Sequence, residues 1–359
     1  MDLLAIAARS PAVQALRRRL EKGDAFSLAG VSPAAHSFVV ALLNALHPKR
    51  TLVVVAENLK AQEALHQDLQ TWLSLAAPDT ATARAPASLC FFPSWEVLPH
   101  EDRLPHADVI SERLETLLTL SQPPDALAPA APIVVTCAAA LLQKTFAPDA
   151  LRRSTRRLRQ GDRCEPQALA EWLEAHAFEP EAQVTQKGEL ALRGGILDVF
   201  PLSSPWPVRL EFFGDELESL RTFDPVTQVS RETIREVLIP PAGELGLLRR
   251  EPPGSPQVGL LIDHLPAQAL LVLCDPERLR EHVEDYARRV EAASPLLLPW
   301  RDLVEHLNSG GVQAVSLIEN ALIPDGQASP VPHEAELDVR NPESEFTTPA
   351  DGPMEEDVL

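Results

Sequence analysis

Hydrophobic positions in this chain change their period in a regular order. Short apolar runs at 26–31, 51–56, 88–92 and 133–136, bounded by turn residues, predict buried strands. Between them apolar residues fall at helical spacing: at 37–46, at 59–73, where Leu65, Leu69, Trp72 and Leu73 recur, and at 107–120, through Ile110, Leu114, Leu117 and Leu118. Strands alternating with helices of this length predict βαβ units and a parallel sheet. The texture returns after residue 232, with strands expected at 237–240, 270–273 and 312–317. Asp275-Pro276 reads as the N-cap and first residue of a helix whose stripe is Leu279, Val283, Tyr286 and Val290.

The middle of the chain follows a period of two instead. In 186–228, Glu189, Ala191 and Arg193 alternate with Leu190 and Leu192, and Val208, Leu210 and Phe212 alternate with Arg209, Glu211 and Phe213. Gly194-Gly195 breaks the first pair of runs, and Gly214-Asp215 turns the chain into 216–223. One sheet face is therefore expected to point at a core and the other to carry Arg193, Arg209, Glu211 and Phe213. That outer face suits a docking hot spot, and equally an ordinary antiparallel sheet with solvated charges. The expected fold class is α/β, a parallel-sheet domain interrupted by a smaller β-rich α+β insert. The divisions are 1–148 and 233–323 for the α/β domain, 149–232 for the insert, and 324–359 for a disordered, Pro-, Ser- and acid-rich tail.

Charge narrows the function classes. The 359 residues carry a formal net charge of −20, which argues against a general nucleic-acid binder, so DNA binding is expected to be weak or absent. From Glu334 onward nine acids face one base, Arg340. Against this trend, six arginines fall between Arg152 and Arg163; they suit a partner, an internal docking role, or a solvated linker. Four scattered cysteines, Cys90, Cys137, Cys164 and Cys274, suggest neither a zinc site nor a disulfide framework. No run approaches a transmembrane span and the N-terminus lacks a signal pattern, so a soluble, cytoplasmic protein with no membrane contact is expected.

Three stretches resemble catalytic sites and fail on chemistry. After the first strand, Gly30 to Ser37 lies where a phosphate-binding loop belongs, but Ala35 replaces the second glycine, His36 the lysine, and Pro33 removes an N–H from the cradle. Of the acids that hold magnesium at a second strand end only Asp275 is present, and a helix cap accounts for it. His100 and His106, with Glu101, Asp102 and Asp108, stand in a proline-rich stretch without ligand spacing. No cofactor, no metal and no catalytic residue is expected, and the chain is not expected to be an enzyme.

The dense stretch GELALRGGILDVFPLSSPWPVRLEFFGDELESLRTFDPVTQ resembles the N-terminal region of the bacterial transcription-repair coupling factor family (Mfd). It is similar, less closely, to the matching part of the excision-repair helicase UvrB. FFPSWEVLPHEDRLPHADVISERLETLLTL, IVVTCAAALLQK and LLIDHLPAQALLVLCDPERL extend the resemblance over roughly residues 1–325. It implies a degenerate P-loop, helicase-like sheet domain whose insert binds the damage sensor UvrA. In that family the nucleotide site is degenerate, and the polymerase-binding domain and translocase motor lie further along than this chain reaches. UvrB's damage-probing hairpin is not evident. The resemblance implies Arg193 as the principal partner contact; Arg209, Glu211 and Phe213, from the alternation, and Phe178, the aromatic at a family motif, complete the expected partner-binding set. Relatives show Gly-Tyr-x-Arg before the first strand of the insert; here the place reads Ala177, Phe178, Glu179, Pro180, with the aromatic kept and the arginine gone. The implied function is a non-catalytic module that recruits UvrA in nucleotide excision repair. Alternatives are the front of an ATP-dependent translocase, contacting C-terminal domains absent here, or a stand-alone regulator competing with UvrB.

Overall fold

The computed structural model describes residues 3–23, 25–76, 88–122, 130–290, 294–309 and 312–319. The tail expected from 324 lies outside the described residues.

The first part of the chain comprises α1 (Leu3–Ala8), α2 (Pro11–Lys22), β1 (Phe26–Ala29), α3 (His36–Leu46), β2 (Leu52–Ala56), α4 (Leu59–Ala76), β3 (Leu89–Phe92), α5 (Ala107–Ser121), β4 (Ile133–Cys137) and α6 (Ala138–Leu142). Local signals set the boundaries. The Ser10 side chain caps the N–H of Val13, Pro11 opens α2, and Gly23 closes it with φ 82°. A connecting stretch follows: β5 (Thr145–Phe146), α7 (Pro148–Arg153) and β6 (Arg156–Arg159). The smaller domain holds α8 (Pro166–Ala175), β7 (Glu179–Pro180), β8 (Glu189–Arg193), β9 (Ile196–Val199), β10 (Val208–Phe213), β11 (Glu216–Phe223) and β12 (Ser230–Ile234). The chain returns through β13 (Glu236–Ile239), α9 (Leu245–Leu248) and β14 (Val258–Gly259), and ends in β15 (Leu270–Cys274), α10 (Pro276–Arg289), α11 (Trp300–Ser309) and β16 (Gln313–Ile318).

Six strands form one parallel sheet in the order β1-β16-β15-β2-β4-β3, so the two halves of the α/β domain interleave in a single sheet. Both its faces are covered. Val53, Val55 and Val134 point to one core with α5, α6 and α10, and Leu52, Val54 and Val135 to another with α3 and α4. That double burial is why these strands read as unbroken apolar runs.

The smaller sheet runs β12-β11-β10-β9-β8-β7, antiparallel except for the β7–β8 pair. Helix α8 covers one face through Leu169, Ala170 and Leu173, packed with Leu190, Leu197 and Leu210. The other face carries apolar packing beside the expected charges. Val184, Ala191, Phe200 and Phe223 make a second small core there, with Phe223 0% exposed.

The edges of this sheet are blunted. Strand β7 is two residues long, and Glu179 and Glu181 bond Gly188 and Leu190, so Pro180 loses no ladder bond. On β12, Ser230, Arg231 and Glu232 are exposed.

One strand pairs unexpectedly. The run at 237–240, read as part of the returning α/β texture, forms β13 and pairs antiparallel with β6 of the arginine run. Its Val237 and Ile239 belong to the smaller domain's core with Leu158. An apolar alternation fits either sheet, and among the described residues the arginine strand β6 is the partner it takes at the neck between the domains.

Candidate functional site

The outward face of the smaller sheet is built by register. Ala191, Asp198, Arg209 and Arg221 lie side by side on β8, β9, β10 and β11. Two arginines directly opposite each other repel, and each is answered by a carboxylate. Arg209 donates through Nε to Asp198 Oδ1 at 2.7 Å and through Nη2 to Oδ2 at 2.8 Å, while its guanidinium lies 4.7 Å over the Phe223 ring. The hydrogen bond to Asp198 holds the Arg209 guanidinium above its ordinary pKa. Arg221 donates to Glu211, which also accepts from Ser219. The Ser219 hydroxyl first, and then Arg221, hold the Glu211 carboxyl below its ordinary pKa.

Arg193 joins the same carboxylate from the turn. Its Nη2 donates to Asp198 Oδ2 at 3.0 Å, yet its side chain is 54% exposed against 20% for Arg209 and 0% for Asp198. The turn that places it needs two glycines. Gly194 has φ 62°, and a Cβ on Gly195 would stand 2.8 Å from the Phe212 carbonyl oxygen. Phe213 lies beyond a bulge that shifts the β10–β11 register after Glu211, and it is 81% exposed. Ile196, opposite both Arg193 and Glu211, is also exposed.

Four of the five residues singled out from sequence thus share one face: Arg193, Arg209, Glu211 and Phe213. Phe178 does not, and its expected contact role is corrected here. It is 3% exposed, sealed in the core beneath α8, and its N–H bonds Leu173. Asp198 is the residue the sequence reading missed as a site. Its signal was there, since an acid at the inward-outward register of Arg209 in an apolar ILDVF run needs a cation.

The phosphate-loop residues take a different form. Gly30 has φ 77°, and Pro33–Ala35 makes a 3-10 turn into α3. His36 is 7% exposed with Nε2 unpaired among the described residues, and Ser37 is buried. Burial lowers the His36 pKa, opposed by its hydrogen bond to Val31 and the charges of Asp275 and Glu319. Across the same sheet end, Arg278 pairs with Glu57 at 3.5 Å and Asp275 at 3.3 Å. Asp275 also caps α10 through the Arg278 N–H.

The histidine stretch serves the fold. His106 Nδ1 accepts from the Asp108 N–H and caps α5, and the carbonyls of Pro99, Glu101 and Arg103 accept from Arg249. Among the described residues no group of three or more His, Cys, Asp or Glu could hold a metal ion. The arginine run is largely spent internally. Arg157 and Arg159 bond Glu236 across the β6–β13 ribbon, and Arg156 lies 4.7 Å over Trp172. No described helix is long and apolar enough to cross a membrane.

The stretch that contains this face matches a known family. Residues 157–245 match the UvrB interaction domain family. The chain also resembles the N-terminal module of transcription-repair-coupling factors. The factor of Haemophilus influenzae is 33% identical over 198 residues, covering 53% of this chain and 17% of that protein. That of Mycobacterium bovis is 29% identical over 332 residues, covering 80% of this chain and 26% of its own length. That of Escherichia coli is 28% identical over 225 residues, 63% of this chain and 18% of that protein. The chain therefore spans about a quarter or less of the length of these relatives. The UvrB interaction domain match begins inside β6 and ends inside α9, so it takes in the whole smaller sheet, α8 and the ribbon that joins them to the α/β domain.

Proposed function

We propose that this chain is a non-catalytic recruitment module that docks UvrA for transcription-coupled nucleotide excision repair. The docking surface is the face built on Asp198. One observation carries the reading: the matched domain contains a sheet whose outer face combines a half-exposed arginine, Arg193, with the exposed aromatic Phe213 on a rigid ion-paired base. Exposed Arg and aromatic side chains on a fixed scaffold are the groups that dominate interface energies. Arg209 and Glu211 serve by holding that base; Arg193 and Phe213 meet the partner. The non-catalytic part rests on Ala35 and His36 in the places of a phosphate loop's glycine and lysine, and on the use of Asp275 as a helix cap.

The test is a calorimetric titration of the chain with UvrA, wild type beside Arg193→Ala and Phe213→Ala. Each variant is expected to lose about 1–3 kcal/mol of binding free energy. Undiminished binding by both variants removes the site; no binding by wild type removes the function. A titration with ATP is expected to show no saturable binding.

A second reading has its own support. The relatives are about four or more times the length they share with this chain, which favours a larger protein, an ATP-driven DNA translocase, of which this is one part. An open reading frame that continues past Leu359 decides for it, and a natural stop codon for a stand-alone regulator.

A further inference from the structure

Helix α5 runs along the seam between the two domains, and one of its cations is sealed from water. Arg113 and its partner Glu244 both have side chains that are 0% exposed. The guanidinium grips the carboxylate with two bonds, Nε to Oε2 at 2.7 Å and Nη2 to Oε1 at 3.1 Å. Nη1 donates to Pro93 O at 2.8 Å and to Gln143 Oε1 at 3.3 Å, and the group lies 4.1 Å over the Phe92 ring. Glu244 accepts further bonds from Trp95 Nε1 at 2.8 Å and Thr145 Oγ1 at 2.6 Å. Gln143 in turn donates to the Tyr286 hydroxyl at 2.7 Å.

The members come from three places. Arg113 and Trp95 belong to the α/β domain. Gln143 and Thr145 lie where the chain leaves it for the smaller domain, and Glu244 lies where the chain comes back. One buried cation therefore gathers both strands of the crossing onto one helix. A buried ion pair is a poor source of net stability, because desolvation offsets its attraction. Its strength is directional, since only one arrangement satisfies every donor and acceptor in a low-dielectric site.

We propose that Arg113 and Glu244 are positioning residues that fix the orientation of the smaller sheet against the parallel sheet. A second tie on the same helix acts in the same sense. Ser111 donates to the Leu202 carbonyl and accepts from Lys187 Nζ at 2.8 Å, and the Leu202 side chain, 0% exposed, belongs to the core of the α/β domain. Without such ties, relative motion is what two domains joined by a neck normally show. The proposal stands apart from the docking reading, because it concerns geometry within this chain and needs no partner.

Spin labels placed by Glu218→Cys on β11 and Glu284→Cys on α10, with Cys164→Ser, measure the distance between the domains; the other three cysteines are buried. A pair within the smaller domain, Glu174→Cys with Glu218→Cys, is the control. Arg113→Lys keeps the charge but cannot serve all the acceptors at once, and Glu244→Gln keeps the shape. In each, the interdomain distribution is expected to broaden while the control pair keeps the parent's distribution and melting stays cooperative, at a lower midpoint because the buried pair is weakened. Two results overturn the proposal. One is an interdomain distribution as narrow as the parent's in both variants; the other is failure of both to fold, which makes the pair a folding requirement instead.

Discussion

Two carboxylates organise arginines in this protein, and they differ mainly in what stands over them. Asp198 is buried, but its arginines graduate from 20% exposed at Arg209 to 54% at Arg193, so the cluster opens to solvent on one side. Glu244 and Arg113 are closed on all sides. The chemistry is the same, a carboxylate and a guanidinium in bidentate contact. Burial decides the use: an open cluster can lend a cation to a partner, and a sealed one can only hold the chain that carries it.

The largest expected effect tests the sealed cluster. Glu244→Ala strands Arg113 in the interior, and its unfolding free energy is expected to fall by about 3–5 kcal/mol in a denaturant titration. Asp198→Ala should cost less, about 1–3 kcal/mol by the same measurement, because Arg209 can turn partly to water. If the two losses are equal, the comparison fails. Arg193→Ala is expected to change stability by no more than about 0.5 kcal/mol, since a half-exposed pair is screened by solvent.

Acid separates the regions by pH. Burial lowers the His264 pKa, with its Nε2 bonded to the Phe146 carbonyl beside the seam. A base with a lowered folded pKa contributes stability that is present above the ordinary value of 6.5 and is lost as pH falls through that value towards the folded one. Glu211, lowered by Ser219 and Arg221, contributes stability present above the ordinary 4.5 and lost as pH falls through its folded pKa. Melting curves against pH should therefore lose a first step in His264→Gln and a second, more acidic one in Glu211→Gln. A gain instead of a loss is expected at Ala177, which follows α8 with φ 69°, a conformation that favours glycine. Ala177→Gly is expected to raise stability by about 1 kcal/mol.

The parallel sheet was legible because double burial writes itself as continuous apolar runs, and the meander because alternation and glycine pairs fix its turns. The positions of Arg193, Arg209, Glu211 and Phe213 followed from period two alone. Phe178 misled because it keeps the aromatic of the Gly-Tyr-x-Arg pattern that relatives show there. Only the packing of α8 over it decides that it is core. The strand over 237–239 misled because its apolar alternation does not name its partner. The Arg113–Glu244 pair was invisible for a different reason. The two residues are 131 positions apart, and on an amphipathic helix an arginine reads as solvent-facing until a distant carboxylate is brought to it.

The blunted edges of the smaller sheet carry one more consequence. A two-residue, proline-bearing strand at one margin gives an incoming peptide little backbone to extend, and at the other margin Arg231 and Glu232 put charge on the exposed edge strand. Under the docking reading, the contacts fall to side chains on the outer face, where the strands from β8 to β11 are paired on both sides. Such a surface can change its preference by single substitutions, residue by residue, while the scaffold beneath keeps its shape.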